Sequence, residues 1–230
     1  MLPYPAILDS VASGFPDARF TVVAVTPLKI LEWHPGNGDP FTGLGHALDS
    51  MPVMDTLVAP LNNLSPAAMA FPGGWIGFIG YEAGRYVERL PQTVIADVGL
   101  PVARWAFYDS AAVYDAQSGE WTLVALDLSQ ARPDWPAVQS PARRLAIYDD
   151  LLAQSCGQFM ESLPPPPPCQ PIHNMTRSEY ESKVARAIDY IAAGDIFQVN
   201  LARRETYPVQ EPPVATYLRL RRTNPGAYAA

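Results

Sequence analysis

Apolar residues recur at helical spacing between Arg177 and Ala193: Tyr180, Val184, Ala187, Ile188 and Ile191 share one face, and Arg177, Glu181 and Arg186 point away. Thr176 and Glu179 stand three apart at the start of this run and predict a capping box, and Gly194 supplies a left-handed stop. The period then changes to two. Phe197, Val199 and Leu201 alternate with Gln198, Asn200 and Ala202, which predicts a strand. A last helix is predicted around Val214–Arg222, followed by a Pro-Gly turn and the start of an apolar strand.

The N-terminal part reads mainly as strands. Arg19–Trp33 is β-branched and apolar on both sides of Thr26-Pro27, predicting two strands, and the Pro/Gly/Asn-rich stretch from His34 is a turn. Phe41–Met51 predicts a short helix, and the proline-spaced stretch 52–72 a loop. Trp75–Tyr81 is apolar on both faces, as a central strand would be, with Gly77 and Gly80 read as close-packing positions in preference to ligand space. Val102–Leu128 predicts a strand pair or triple with a hairpin turn before Trp121. Pro141–Ser155 predicts a helix with Leu145, Tyr148, Leu151 and Leu152 on one face. Five consecutive prolines, Pro164–Pro168, form a semi-rigid spacer. The expected organisation is a domain over 1–160, a linker over 161–173 and the start of a second domain over 174–230. The fold class is α+β, with two packed, mostly antiparallel sheets and peripheral helices. It is expected to be incomplete at the C-terminus, because 57 residues are too few to bury both faces of their own sheet.

Hydrophobic residues at 48% and charged residues at 17% suffice for a core and argue against disorder. The 25 prolines favour short elements over long helices. The net charge of −7 is uneven: residues 174–230 hold eight Lys/Arg and six Asp/Glu, and the preceding 173 hold eight and seventeen. An acidic body without a basic run excludes nucleic acid as the expected partner. Arg219, Arg221 and Arg222 read as a solvated helix face. Cys156 and Cys169 fit no metal spacing and read as free thiols, and His34, His46 and His173 form no ligand set. With no run of 18 apolar residues and no signal pattern at the N-terminus, the chain is expected in the cytoplasm. Glu32, His34 and Asp39 read as turn residues, and Ser10 by itself as a turn or cap residue.

Three segments together carry a resemblance: "GGWIGFIGYEAGRYVERLP" (Gly73–Pro91), "MTRSEYESKVARAIDYIAAGDIFQVNLARRE" (Met175–Glu205) and "LRLRRTNPGAYAA" (Leu218–Ala230). They resemble the chorismate-utilising enzymes, component I of aminodeoxychorismate synthase first and that of anthranilate synthase second. The resemblance implies amination of chorismate to 4-amino-4-deoxychorismate for 4-aminobenzoate and folate. The alternatives are anthranilate formation in tryptophan biosynthesis, or a standalone amino-acid-binding remnant. It further implies Mg2+ and a glutamine amidotransferase partner. The catalytic and magnesium-binding residues of the family lie downstream of these segments, so this chain alone is expected to be inactive.

The same resemblance implies an amino-acid pocket that takes tryptophan, formed by Ser10, Asp17, Ala18, Arg19, Phe20, Phe197, Ala227, Tyr228 and Ala229. Ser10 would hydrogen-bond the ligand. Ala18 replaces a polar residue, which removes a hydrogen bond worth ~1 kcal/mol, and Ala227 stands where a proline is usual. Gln198 and Asn200 are expected as buried hydrogen-bonders that tie sheet to loop.

Overall fold

The computed structural model describes residues 3–10, 18–50, 64–91, 97–128, 139–155, 168–209 and 211–229. The chain divides into two compact units: Met1–Phe159 together with Arg221–Ala230, and Met160–Leu220. Asp17, Cys156 and most of the proline-rich linker lie outside the described residues.

In the first unit, β1 (Ala6–Leu8), β2 (Phe20–Ala24), β6 (Ser110–Asp115) and β7 (Glu120–Ala125) form an antiparallel sheet in the order β1-β2-β6-β7. A second antiparallel sheet has the order β3-β5-β4, from β3 (Lys29–Trp33), β4 (Gly74–Ile79) and β5 (Ala103–Tyr108). Val22, Ala24, Ala111 and Val113 of the first sheet pack against Ala106 and Tyr108 of the second, with Leu8, Ile30, Ile76 and Val124 half-buried around them. Near-complete burial of Val22 and Val113 contributes roughly 1.5–3 kcal/mol each relative to exposure. The strand period of two puts Ala112 on the opposite face of β6, where Tyr148, Ile147 and Leu151 of α3 (Pro141–Ser155) cover it. Trp75 meets Phe107 edge to face at 5.4 Å in a cluster with Leu28, Leu126 and Leu128. The α+β expectation of two packed antiparallel sheets with outer helices is thus borne out.

The chain changes sheet twice, between β2 and β3 and between β5 and β6, and α3 secures both corners. Arg144 is 4% exposed and donates from Nε to Asp109 Oδ1 at 2.7 Å, while its Nη2 pairs with the same carboxylate. It also donates to Thr26 Oγ1 at 3.0 Å and to the Thr26 carbonyl at 2.7 Å. Thr26 has φ +50°, a turn conformation that L residues rarely adopt. Tyr148, one helical turn beyond Arg144, donates to the Ser110 carbonyl at 2.7 Å and accepts from the Val25 N–H at 3.2 Å. Two side chains thus satisfy backbone groups that leave the ladders where the strands bend.

Other elements match their local signals. α1 (Pro40–Asp49) is capped by Asp39, which accepts from the Phe41 and Thr42 N–H groups. α2 (Pro66–Ala70), capped by Ser65, lies within the stretch expected as loop. Its five residues are too short for a periodic signal, and residues 51–63 lie outside the description. β4 corrects a second expectation: among the described strands it is the edge of its sheet, with Phe78 39% and Ile79 45% exposed. Gly77 is there for packing, since a Cβ would stand 2.0 Å from the Arg104 carbonyl oxygen.

In the second unit, α4 (Arg177–Ala193) has the expected capping box: Glu179 N–H donates to Thr176 Oγ1, and Thr176 N–H donates to the Glu179 carboxylate at 2.7 Å. Gly194 ends it at φ +83°. α4 nevertheless has no buried residue, and Ile188 is 59% exposed. The strand expected over 197–202 does not form, and Gln198 and Asn200 are exposed rather than buried. Among the described residues of this unit, strand pairing is confined to β8 (Ile172–His173) and β9 (Glu205–Thr206). An alternating segment without a neighbouring strand has no ladder to close, so its pattern stays unused. α5 (Pro213–Thr223) forms as expected. Residues 221–229, assigned by the sequence pattern to the second domain, group with the first unit.

Replacing Arg144 with Ala is expected to destabilise the protein by about 3–5 kcal/mol, because it strands the buried Asp109 carboxylate. Urea unfolding of the variant measures this, and a midpoint within error of wild type would show that the corners hold without the pair.

Candidate functional site

The antiparallel register of β1 with β2 pairs Leu8 with Val22 and carries the two residues beyond β1, Asp9 and Ser10, toward Thr21. The Thr21 hydroxyl donates to Asp9 Oδ1 at 3.1 Å and accepts from the Ser10 N–H at 3.0 Å. Asp9 also makes an antiparallel bridge with Ala229, each N–H donating to the other's carbonyl at 2.8 Å. Beside it, the Tyr228 N–H donates to Ser10 Oγ at 3.1 Å. Arg221, in the last turn of α5, donates from Nε to Asp9 Oδ2 at 2.5 Å and from Nη2 to Oδ1 at 3.5 Å. Asp9 and Ser10 are 3% and 8% exposed. Tyr228 is held at φ +52°, which costs a bulky residue roughly 1–2 kcal/mol.

Of the expected pocket residues, the structure brings Ser10, Tyr228 and Ala229 together directly. Phe20 begins the adjacent strand, and Ala18 lies half-buried in the turn before it. Arg19 is engaged elsewhere. Its guanidinium lies 4.7 Å from the Phe20 ring centre and grips Asp115 at both oxygens, Nε to Oδ1 at 2.9 Å and Nη2 to Oδ2 at 2.7 Å. Ala227 is exposed, and Asp17 lies outside the described residues. Phe197 belongs to the second unit, where it is 92% exposed. Sequence reasoning passed over Thr21, Asp9 and Arg221. Asp9 directly precedes Ser10 in the chain. Arg221, read as a solvated face, is an ion-pair partner, and Arg219 likewise pairs with Glu211 at 3.0 Å.

A buried carboxylate, its guanidinium, a hydroxyl and an ordered backbone form a hydrogen-bonding cluster. Ser10 Oγ accepts from Tyr228, and a hydroxyl retains one proton to donate. The Thr21 hydroxyl is held between the Asp9 carboxylate and the Ser10 N–H, and the carboxylate is charge-paired with Arg221, so these groups fix one another in place. Among the described residues no group of three or more His, Cys, Asp or Glu side chains is placed to hold a metal ion. Glu32 and Asp39 have separate duties: Glu32 pairs with Arg104 and His34, both at 2.6 Å, and Asp39 caps α1. A cleft of about 610 Å³ opens at the end of β4, between Pro35, Phe78, Tyr81, Arg85 and Leu100, and contains no expected site residue. Cys169 is a free, exposed thiol. No described helix is long and apolar enough to cross a membrane.

The family model for chorismate binding enzymes matches residues 15–230. Anthranilate synthase component 1 of Streptomyces coelicolor is 31% identical over 230 residues, covering 96% of this chain and 42% of that protein. Aminodeoxychorismate synthase component 1 of Salmonella typhimurium is 26% identical over 234 residues, covering 100% of this chain and 48% of that protein. The crystal structure of anthranilate synthase component I from Streptococcus pneumoniae superposes with a TM-score of 0.70 at 22% identity, over 95% of this chain and 48% of that one, a likeness of fold. The chain spans a little under half the length of these relatives.

The Arg19 guanidinium holds the Asp115 carboxyl at about 2, below its ordinary 3.8, aided by the Gln117 N–H and opposed by burial. A depressed carboxylate stabilises the fold above its unfolded pKa, and that stability is lost as pH falls through the folded value. The Tm advantage of wild type over Asp115→Asn should therefore be constant above about pH 4 and shrink toward pH 2. An advantage unchanged down to pH 2 in a thermal melt series would exclude this pair as its source.

Proposed function

Because the chain belongs to the chorismate-binding enzyme family, we propose that it carries the N-terminal half of a chorismate-aminating component I that makes 4-amino-4-deoxychorismate, with an amino-acid site at Ser10 and Tyr228. The observation that carries this reading is the hydrogen bond between Ser10 and Tyr228, 218 residues apart, which joins the first and last segments of the pocket that the family resemblance implies. In this reading the whole protein aminates chorismate with Mg2+ and with ammonia from a glutamine amidotransferase partner. The residues described here contribute scaffold and a site that binds an amino acid, and take no part in proton transfer.

The aminodeoxychorismate reading is supported by the weak polar equipment of the site. Ala18 has no hydrogen-bonding side chain, and Arg19 is committed to Asp115, which suits a structural rather than a steeply inhibitory pocket. Anthranilate formation is the second reading, favoured by the higher identity of the anthranilate synthase relatives, 31% and 32% against 26%.

The test is product analysis of the protein expressed from its complete reading frame, incubated with chorismate, Mg2+ and ammonium. Chromatography should find 4-amino-4-deoxychorismate. Anthranilate alone would replace the first reading with the second, and neither product would sink both. Calorimetry with tryptophan addresses the pocket: Ser10→Ala should weaken binding about fivefold, the equivalent of one hydrogen bond. An unchanged affinity would take Ser10 out of the site.

A further inference from the structure

We propose that Arg221 is a positioning residue for the amino-acid site, holding the Asp9–Ser10 and Tyr228–Ala229 backbones in register; its effect on ligand affinity rests on the reading above. The Asp9 side chain is 5% exposed, and that of Arg221 is 40% exposed. A carboxylate so far from water requires charge compensation, and Arg221 supplies it from the solvent side. The fork of the guanidinium matches the two carboxylate oxygens, Nε on Oδ2 and Nη2 on Oδ1, so it fixes the plane of the carboxylate as well as its charge. That plane matters because Oδ1 also accepts from Thr21, whose oxygen in turn accepts from the Ser10 N–H. Ser10 is therefore oriented at its N–H by a hydroxyl that Asp9 orients.

The opposite strand depends on the same carboxylate residue. Asp9 and Ala229 form an isolated one-residue bridge, and a single bridge has no neighbouring ladder to support it. Tyr228, directly before it, sits at φ +52°. Such a conformation persists only where the surroundings over-determine it, and such residues cluster at ligand sites. Arg221 lies seven positions before Tyr228 and closes the segment between them into a loop anchored at both ends on Asp9 and Ser10. The arginine thereby limits the freedom of the tyrosine without touching it.

The deciding experiment is residue-resolved amide exchange on the full chain, comparing Arg221→Ala and Arg221→Lys with wild type. The N–H groups of Tyr228, Ala229 and Asp9 are donors within the site and should exchange at least tenfold faster in Arg221→Ala. Arg221→Lys, which keeps the charge without the fork, should fall between. Val113, in the core of β6, should keep its wild-type rate. Equal acceleration at Val113 would mean general destabilisation and overturn a local positioning role, as would unchanged exchange at the three site amides. If Arg221→Ala does not fold, the neutral pair Asp9→Asn with Arg221→Gln carries the test. It should restore folding with site amides faster than wild type, and wild-type rates there would overturn the proposal. Tryptophan calorimetry separates the two ideas. If wild type binds, Arg221→Ala should lose at least tenfold in affinity and Arg221→Lys less. If wild type does not bind, the pocket reading fails and the exchange result still decides what Arg221 does.

Discussion

The first unit depends on one buried cation, the guanidinium of Arg144. A sandwich of two sheets made by a chain that crosses between them must bend its strands, and every bend takes backbone groups out of their ladders. Here the crossings fall at Thr26 and Asp109, and Arg144 bonds to both. The pair is expensive to desolvate, and an apolar pair of equal volume could equal it in stability. What an apolar pair lacks is direction. The five-donor fork engages a carboxylate, a hydroxyl and a carbonyl at defined angles, which fixes where each strand turns. Tyr148 repeats the arrangement one turn along α3 at Val25 and Ser110.

With the corners fixed, the remaining geometry of the unit follows. β2 is held between β1 and β6, so Thr21 comes to stand beside Asp9 and Ser10, and the chain beyond α5 adds its bridge at Asp9. The candidate site is thus a seam where the two ends of the described chain meet along the margin of a sheet. Its polar groups are paired with one another, which fixes the backbone on both sides of the seam. Arg19 shows how the same margin serves stability: its charge closes the start of β2 onto the end of β6 at Asp115 and so is withdrawn from any ligand.

The second unit shows the converse: its elements are locally ordered, and among its described apolar residues only Ala215 is buried. α4 has both of its caps and a full amphipathic pattern, and still no residue of it is buried: Tyr180, Val184 and Ala187 are half-buried, and Ile188 and Ile191 are exposed. Capping and propensity are interactions within a few residues and form wherever the helix forms. Burial needs another surface. The same holds for Phe197, Val199 and Leu201, whose alternation specifies a strand face but cannot supply the strand next to it.

The elements whose causes lie within a few residues were therefore legible in the sequence. The capping box at Thr176 and Glu179, the glycine stop at 194, the strands on either side of Thr26 and the helix from Pro141 each carry their own signal, and of the pocket residues that the family resemblance implies, Ser10 and Tyr228 stand in hydrogen-bond contact. Tertiary structure decided the rest, through contacts between residues far apart in the chain. Arg144 in a polar helical stretch and Arg221 in a basic one look equally like solvent-facing side chains. One is 4% exposed and the other pairs with a buried aspartate, because Asp109 and Asp9 lie 35 and 212 residues away. Sequence pattern encodes which face of an element is apolar. It does not encode which charged residue will find a buried partner, since that depends on where the folded backbone leaves a group unsatisfied.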